Sequence, residues 1–192
     1  MNAKILAAFL LAAASALSAP ASAALLTYTE TADVSGSLNG VGFCDNVLTL
    51  TASGDTSSVS GGPSFFFLSV PLTFTLSGGG SGTFSDETGL IDNQAVPTAG
   101  FGDFTTDLAI LDTFSAVFAA YDLRAPVGPV SGGAIYNSGS SFATSAGPLI
   151  IESISGDATF TATIPEPATW TMMALGFAAL GLMGYRRGAR LA

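Results

Sequence analysis

The residues whose types and spacing point most directly to chemistry are Pro165, Glu166 and Pro167. Each proline fixes φ, lacks a backbone donor and biases the preceding residue away from helix. We therefore predict that Ile164 to Pro167 forms a stiff extended strip with one carboxylate, which a processing protease could bind as an added strand. The chemistry predicted for this motif is carried out on the chain by another protein.

An uncharged segment follows the motif from residue 168 to residue 185. As a helix it would span about 27 Å, close to the hydrocarbon thickness of a bilayer. Trp170 and Tyr185 stand near its ends, where interfacial aromatic side chains anchor such helices, and the cations behind it favour a cytoplasmic end. We predict a transmembrane helix over 168–185 and a basic tail over 186–192 that carries Arg186, Arg187 and Arg190.

The start of the chain has the pattern of a secretory signal peptide. A weakly basic beginning with Lys4 precedes an apolar stretch over residues 5–19, and Ala21-Ser22-Ala23 is a small-residue cleavage site. We predict removal of residues 1–23 after Ala23, with Ala21 and Ala23 as the recognised pair. Export places the residues between the two segments outside the cytoplasm.

The tail resembles the PEP-CTERM sorting domain of exported bacterial proteins, from its Pro-Glu-Pro motif to its terminal arginines. Trp170, Met172 and Met173 match a subtype with tryptophan and methionine after the motif. The resemblance implies recognition by exosortase, a membrane-embedded cysteine protease or transpeptidase that cleaves near the motif and delivers the protein to the surface. It also implies a role beside exopolysaccharide in a biofilm. The alternative is an ordinary single-pass anchor that happens to follow two prolines.

The passenger between residues 24 and 164 has few of the groups that enzymes use. The chain contains no histidine, which excludes histidine-based triads and histidine-ligated zinc. Paired carboxylates remain open, as in a glycoside hydrolase, and the acids considered are Asp86, Glu87, Asp92 and Glu152. Three further acids could supply oxygen ligands to calcium, although they match no calcium-loop pattern: Asp103, Asp107 and Asp112. We predict no catalytic residue, no metal and no cofactor.

The charge and the cysteine content of the passenger limit which classes of partner and which covalent links are possible. Arg124 alone opposes thirteen carboxylates in residues 24–164, a net charge of −12, which argues against nucleic-acid binding. Cys44 is the only cysteine, so no internal disulfide can form; we predict a buried thiol, and pairing with another chain is the alternative. Phe65, Phe66 and Phe67 could form a platform for sugars, but three adjacent phenylalanines are more typical of a strand that is buried on both faces.

Apolar and small polar residues alternate through most of the passenger, as in half-buried strands. We predict strands around Leu26 to Val34, with Glu30 as an exception on the apolar side, Leu48 to Ala52, and Leu68 to Leu76, where Pro71 indicates an edge or a bulge. A hairpin is predicted from residues 149–154 to residues 158–164. A further strand is predicted over residues 114–120, while residues 108–112 fit a helical turn equally well.

Turn signals separate these runs at short intervals, among them Asn39-Gly40 and the segment from Pro126 to Gly133. We predict an all-β fold, an antiparallel β-sandwich or jelly-roll-like passenger over 24–164, flanked by a signal-peptide helix and the transmembrane helix. The predicted function is a non-catalytic structural or binding component of the extracellular polysaccharide matrix. Its partners are exosortase, the inner membrane before processing, and extracellular polysaccharide. A calcium-assisted carbohydrate-binding module and a hydrolase with paired carboxylates are the alternatives.

Overall fold

The computed structural model describes residues 25–165. The predicted signal peptide (1–23), transmembrane helix (168–185) and basic tail (186–192) lie outside these residues. Within residues 25–165, no helix has the length and apolar character needed to cross a membrane.

The described residues form twelve strands that are joined by turns and two short 3-10 helices. The strands are β1 (Leu25–Leu38), β2 (Val41–Asp55), β3 (Ser60–Gly62), β4 (Phe65–Ser69), β5 (Thr73–Leu76), β6 (Ser81–Thr83), β7 (Thr88–Asn93), β8 (Thr98–Asp103), β9 (Leu108–Phe114), β10 (Val127–Ile135), β11 (Ser141–Phe142) and β12 (Leu149–Thr163). The 3-10 helices span Thr56–Ser58 and Ala116–Ala120. The prediction of an all-β antiparallel fold is confirmed.

Hydrogen bonds connect all twelve strands into one sheet, in the order β3-β4-β7-β8-β9-β10-β12-β1-β2-β5-β6, with β11 added to β12. The sheet curls, and side chains of β4 reach β2, since a Cβ at Gly54 would lie 2.5 Å from Leu68 Cδ2. The sandwich prediction expected two separate sheets. The difference arises because β1, β2 and β12 are 14 or 15 residues long and bend at bulges, so their hydrogen bonding continues from one layer to the next.

The core lies inside the curl and is built from the alternating apolar residues. Phe160 on β12 is fully buried and packs against Tyr28, Phe118 and Tyr121, with ring centroids 5.6 to 6.4 Å apart. The hydroxyl of Tyr28 donates a 2.6 Å hydrogen bond to the carbonyl of Leu123, which satisfies its only buried polar group. This cluster packs the second 3-10 helix and the following Tyr121 against the inner face of the neighbouring strands β1 and β12.

Two predicted elements are corrected where a single residue changes the path of the chain. The run from Leu68 to Leu76 forms two strands, β4 and β5, which lie near opposite ends of the sheet, because the chain crosses between them at Pro71. The predicted hairpin over 149–164 is the single strand β12. Gly156, at φ +81, forms a bulge in it, where the register with β1 shifts between Thr31 and Asp33.

The assignments around residue 114 are also corrected. Residues 108–114 form strand β9, and residues 116–120 form the second 3-10 helix, in which only Phe118 is buried. The alternation of phenylalanine and alanine there resembles a strand, but one buried anchor is enough to hold a single short turn. The turn predicted within residues 126–133 is replaced by strand β10, whereas the Asn39-Gly40 turn is confirmed as the β1–β2 connection, with both residues at positive φ.

Candidate functional site

The described part of the sorting motif lies directly at the end of a central strand. β12 pairs with β10 on one side and with β1 on the other, and its last pairs are Ala162 with Val127 and Thr163 with Thr27. Ala162 is buried, whereas Ile164 is 52% exposed. The chain therefore leaves the sheet within one residue, and the motif begins with no intervening linker.

The beginning of the described chain lies beside this exit. Because β1 and β12 are antiparallel, Leu25 at the start of β1 lies at the same end of the sheet as Thr163. Leu25 pairs with Asp55 at the end of β2 and is 54% exposed. The two junctions, one toward the predicted signal peptide and one toward the sorting motif, thus leave the fold from neighbouring strands.

Residues 163–187 match the PEP-CTERM protein-sorting motif family. The chain carries a PEP-CTERM sorting motif. The motif indicates an exported protein that exosortase processes and sorts to the cell surface. No curated protein and no solved structure matches the chain.

Most of the residues predicted to carry the sorting signal lie outside the described residues. Of the PEP-CTERM motif, Pro165 is described and is partly buried. The others remain predictions: Glu166, Pro167, Trp170, Arg186, Arg187 and Arg190, together with Ala21 and Ala23 of the cleavage site.

The four acids weighed as hydrolase carboxylates are separated by the fold. Asp86 and Glu87 line an open cleft of about 320 Å³ beside Pro71 and Phe84. Asp92 is fully buried on β7, and Glu152 is exposed on β12. Glu87 accepts a 3.1 Å hydrogen bond from the Ser69 hydroxyl, and this contact between Ser69 and Glu87 lies at the surface. The cleft contains neither Asp92 nor Glu152.

The three acids considered for calcium have separate surroundings in the structure. Asp103 is buried, and its Oδ1 accepts hydrogen bonds from the backbone amides of Thr105 and Thr106 at 2.8 and 3.2 Å, as in an Asx turn. Asp107 is exposed in the same turn at φ +62, and Asp112 is buried on β9. Within residues 25–165, no three acids or cysteines are grouped so that they could hold a metal ion.

The fold instead places Glu30 within electrostatic range of Asp112, which the sequence analysis did not predict. Glu30 is fully buried on the inner face of β1, where its Oε1 accepts a 2.7 Å hydrogen bond from the Thr113 hydroxyl. Oε2 of Glu30 and Oδ1 of Asp112 have no hydrogen-bond partner. The sequence signal for this buried acid was the position of Glu30, because it is the one charged residue among the alternate, otherwise apolar positions of β1.

Burial controls the ionisation of these carboxyl groups. It raises the pKa of Glu30 well above its usual value, and the nearby charge of Asp112 raises it further. Burial also raises the pKa of Asp112 to about 7. Desolvation, followed by the charge of Asp122, raises the pKa of Asp92 to about 7. Glu30 and Asp92 expose no surface, so a substrate could not reach these acids.

The three adjacent phenylalanines lie on different faces of β4. Phe65 and Phe67 are 44% and 37% exposed, whereas Phe66 is partly buried beneath the Arg124 guanidinium at 5.4 Å. This corrects the prediction that the run is buried on both faces. The reason is the position of β4, which is covered on one side only by the three-residue strand β3. Phe67 also contacts Phe104 edge-to-face at 6.2 Å.

Hydroxyl groups cover the outer face of the other half of the sheet. They lie in two registered rows across neighbouring strands. One row consists of Thr161, Thr29, Thr51, Thr73 and Thr83, and the other of Ser131, Thr159, Thr31, Thr49, Thr75 and Ser81. Since neighbouring strands lie about 4.8 Å apart, the rows form a regular surface of hydroxyl groups, which we call the hydroxyl face. Asp33 and Asp157 border it, in a shallow cleft that they share with Thr31 and Thr159.

Cys44 is exposed on β2, which corrects the prediction of a buried thiol. The neighbouring Asp45 has φ +51, and its backbone amide donates to the Ser35 hydroxyl at 3.1 Å, in an irregular stretch where the register with β1 shifts. The local irregularity turns the Cys44 side chain out of the alternation that the sequence indicated. Cys44 lies near the β1–β2 turn, at the end of the hairpin opposite Leu25 and Asp55.

Proposed function

We propose that the protein is an exported, non-catalytic domain that exosortase releases from a transient membrane anchor and that then serves in the extracellular polysaccharide matrix. The observation that supports release most directly is the junction between β12 and the motif. β12 is paired with β10 up to Ala162 and with β1 up to Thr163, and the PEP-CTERM match begins at Thr163. The first stretch that a protease could bind as an extended chain is therefore the motif itself.

The same junction predicts that the cut leaves the fold intact. Ala162 and Phe160 are buried core residues, but Ile164 and the residues after it contribute no core side chain among those described. Removal of the tail beyond Pro165 costs no strand pairing, because the last paired residue is Thr163. We expect the released domain to keep the stability of the full-length chain.

The proposed absence of catalysis rests on the surroundings of the acids. The buried carboxyl groups of Glu30 and Asp92 cannot contact a substrate without unfolding of the sheet. The accessible pair, Asp86 and Glu87, lies in an open cleft, where Glu87 is exposed and accepts a hydrogen bond from Ser69, whereas a general acid at neutral pH is typically held in a closed, desolvated site.

The hydroxyl face supports a role beside polysaccharide. A sheet surface of threonine side chains offers hydroxyl donors and acceptors without charge, which suits a neutral hydroxylated polymer better than a nucleic acid or a cationic peptide. Strand β1 keeps Thr29 and Thr31 partly exposed at the centre of this face. We propose the face as the contact with the matrix.

Intact-mass analysis tests the release. We expect a carboxyl terminus between Pro165 and Ala168 in cells with exosortase and retention through Ala192 in cells without it. Glu166→Ala should retain the full-length form in the inner membrane, whereas Glu152→Ala, which changes an exposed carboxylate on β12, should leave release unchanged. Masses that end at Ala192 in both strains would reduce the tail to an ordinary anchor.

Cosedimentation with the producing cell's own exopolysaccharide tests the matrix contact. We expect the double variant Thr29→Val with Thr51→Val to sediment less with the polymer, because it removes two hydroxyls from one row and keeps the β-branched shape. Thr106→Val, an exposed turn position away from the hydroxyl face, is the control. Equal sedimentation of the three proteins would refute the proposed contact.

A further inference from the structure

The two ends of the described chain define one end of the sheet, which we call the terminal pole. It consists of the start of β1, the end of β12 and the loops 55–59 and 121–126. Thr163 pairs with Thr27, Val127 pairs with Ala162, and Arg124 Nη2 donates a 2.9 Å hydrogen bond to the carbonyl of Val59. These contacts hold the two loops beside the two junctions.

The short connection to the predicted span limits how far this pole can stand from a membrane. Thr163 is the last residue of β12, and the uncharged segment begins at residue 168. Five Cα–Cα steps separate these positions and reach at most about 18 Å when fully extended. By comparison, β1 has 14 residues and an extended length of about 46 Å. The far end of the β1–β2 hairpin therefore lies well beyond the reach of this connection.

The surface of the pole suits the boundary between water and lipid. Two apolar side chains, Leu25 and Ile164, are exposed there beside the two junctions. Arg124, the only basic residue in residues 24–164, lies in one of its loops, where its guanidinium lies over the Phe66 ring. Of the acids, only Asp55 and Asp122 belong to the segments that form the pole. The pole therefore carries a net charge of only −1, so an anionic leaflet repels it weakly.

We propose that, before processing, the terminal pole rests on the outer surface of the inner membrane, with Leu25 and Ile164 at the headgroup boundary, and that it leaves this surface when the tail is cut. The inference rests on the proposed function, because it takes the segment after the motif to be the membrane anchor. It adds the orientation of the domain and the surface that meets the lipid. The β1–β2 turn and Cys44 then point away from the membrane.

Thiol labelling from outside the membrane tests this orientation in the full-length chain. Native Cys44 is the distal reporter, and Leu25→Cys combined with Cys44→Ser is the reporter at the pole. In cells that lack exosortase, we expect a membrane-impermeant maleimide to label the pole reporter several-fold more slowly than Cys44. In the domain released by exosortase, the two reporters should react at similar rates, because both positions are exposed in the fold. Equal rates in the unprocessed chain would overturn the proposal.

A spacer separates membrane contact from slow labelling that the fold itself causes. About twelve Gly/Ser residues inserted between Thr163 and Ile164 add a mean reach of roughly 20 Å. In the unprocessed chain, the spacer should restore fast labelling of the pole reporter. The same insertion between Asn39 and Gly40 is the control and should leave the reporter slow. Continued protection with the first spacer would mean that the connection does not hold the pole at the membrane.

The outcomes for orientation and for sorting are independent. Slow labelling at the pole together with masses that do not depend on exosortase would refute the proposed processing and leave the membrane contact standing. Normal processing together with equal labelling rates would refute only the membrane contact.

Discussion

Replacement of Asp112 by asparagine should change how the stability of the domain depends on pH. Asp112 is buried on β9, its Oδ1 has no partner, and burial raises its pKa from 3.8 to about 7. Between these two values the folded state binds the proton and the unfolded state releases it. The free energy of unfolding therefore falls as pH rises through this window.

The shift sets the size of the effect. About three pKa units correspond to roughly 4 kcal/mol at 1.36 kcal/mol per unit, which is fully lost above pH 7. Asparagine has a similar shape and carries no charge. Asp112→Asn should therefore match the wild type near pH 4 and exceed its stability at pH 8 by an amount on the order of 2 to 4 kcal/mol. Glu30 and Asp92 act in the same direction, so the variant keeps a smaller pH dependence.

Urea unfolding of the released domain at pH 4 and pH 8 measures this difference. Far-UV circular dichroism is the suitable signal, because the only tryptophan, Trp170, lies in the tail. Asp107→Asn is the matched control, since it removes an exposed carboxylate from a turn at φ +62, which asparagine also adopts. The reasoning is refuted if Asp112→Asn and the wild type lose the same stability between the two pH values, or if the wild type becomes more stable at pH 8.

Three further substitutions test the packing that supports this region. Phe160→Ala should lower the free energy of unfolding by about 3 to 5 kcal/mol, measured by urea denaturation, because the ring is fully buried. Thr113→Val should lower the free energy of unfolding by about 1 to 3 kcal/mol, since it leaves the buried Oε1 of Glu30 without a donor. Adding Glu30→Gln to Thr113→Val should not restore this stability, because the side-chain oxygen of glutamine would lack the same donor. Gly132→Ala should lower the melting temperature, because its Cβ would lie 2.0 Å from the carbonyl oxygen of Phe114, and an unchanged melting temperature would contradict this close approach.

The sequence pattern predicted those features of the fold that neighbouring residues determine. The alternation of β1 and the Asn39-Gly40 turn predicted the first hairpin, because burial of every second residue and the positive φ of two turn residues are properties of adjacent positions. The same pattern continued through Pro71, where burial still alternates although the strand does not. A sequence of this kind reports which face is buried and cannot report which strand lies beside it.

Long-range pairing decided the features that the sequence analysis missed. The sequence predicts a turn at Gly156, but both halves of β12 pair with β1, so this residue forms a bulge within one strand. Phe65 and Phe67 read as core, but β4 lies near an edge of the sheet, where its outer face remains exposed. In both cases the side chains allow either outcome, and the identity of the neighbouring strand selects one.

The sorting motif could be predicted from the sequence and the contact of the buried acids could not, because only the first is formed by neighbouring residues in the chain. A processing enzyme binds consecutive residues of an extended chain, so the residues that it recognises must be contiguous in sequence. Pro165-Glu166-Pro167 can therefore be identified without knowledge of the fold. Glu30 and Thr113 are 83 positions apart and meet only because β1 faces β9 across the curled sheet. A signal that is read by another protein is therefore predictable from the chain alone, whereas the internal titratable groups that set the stability of the domain require its topology.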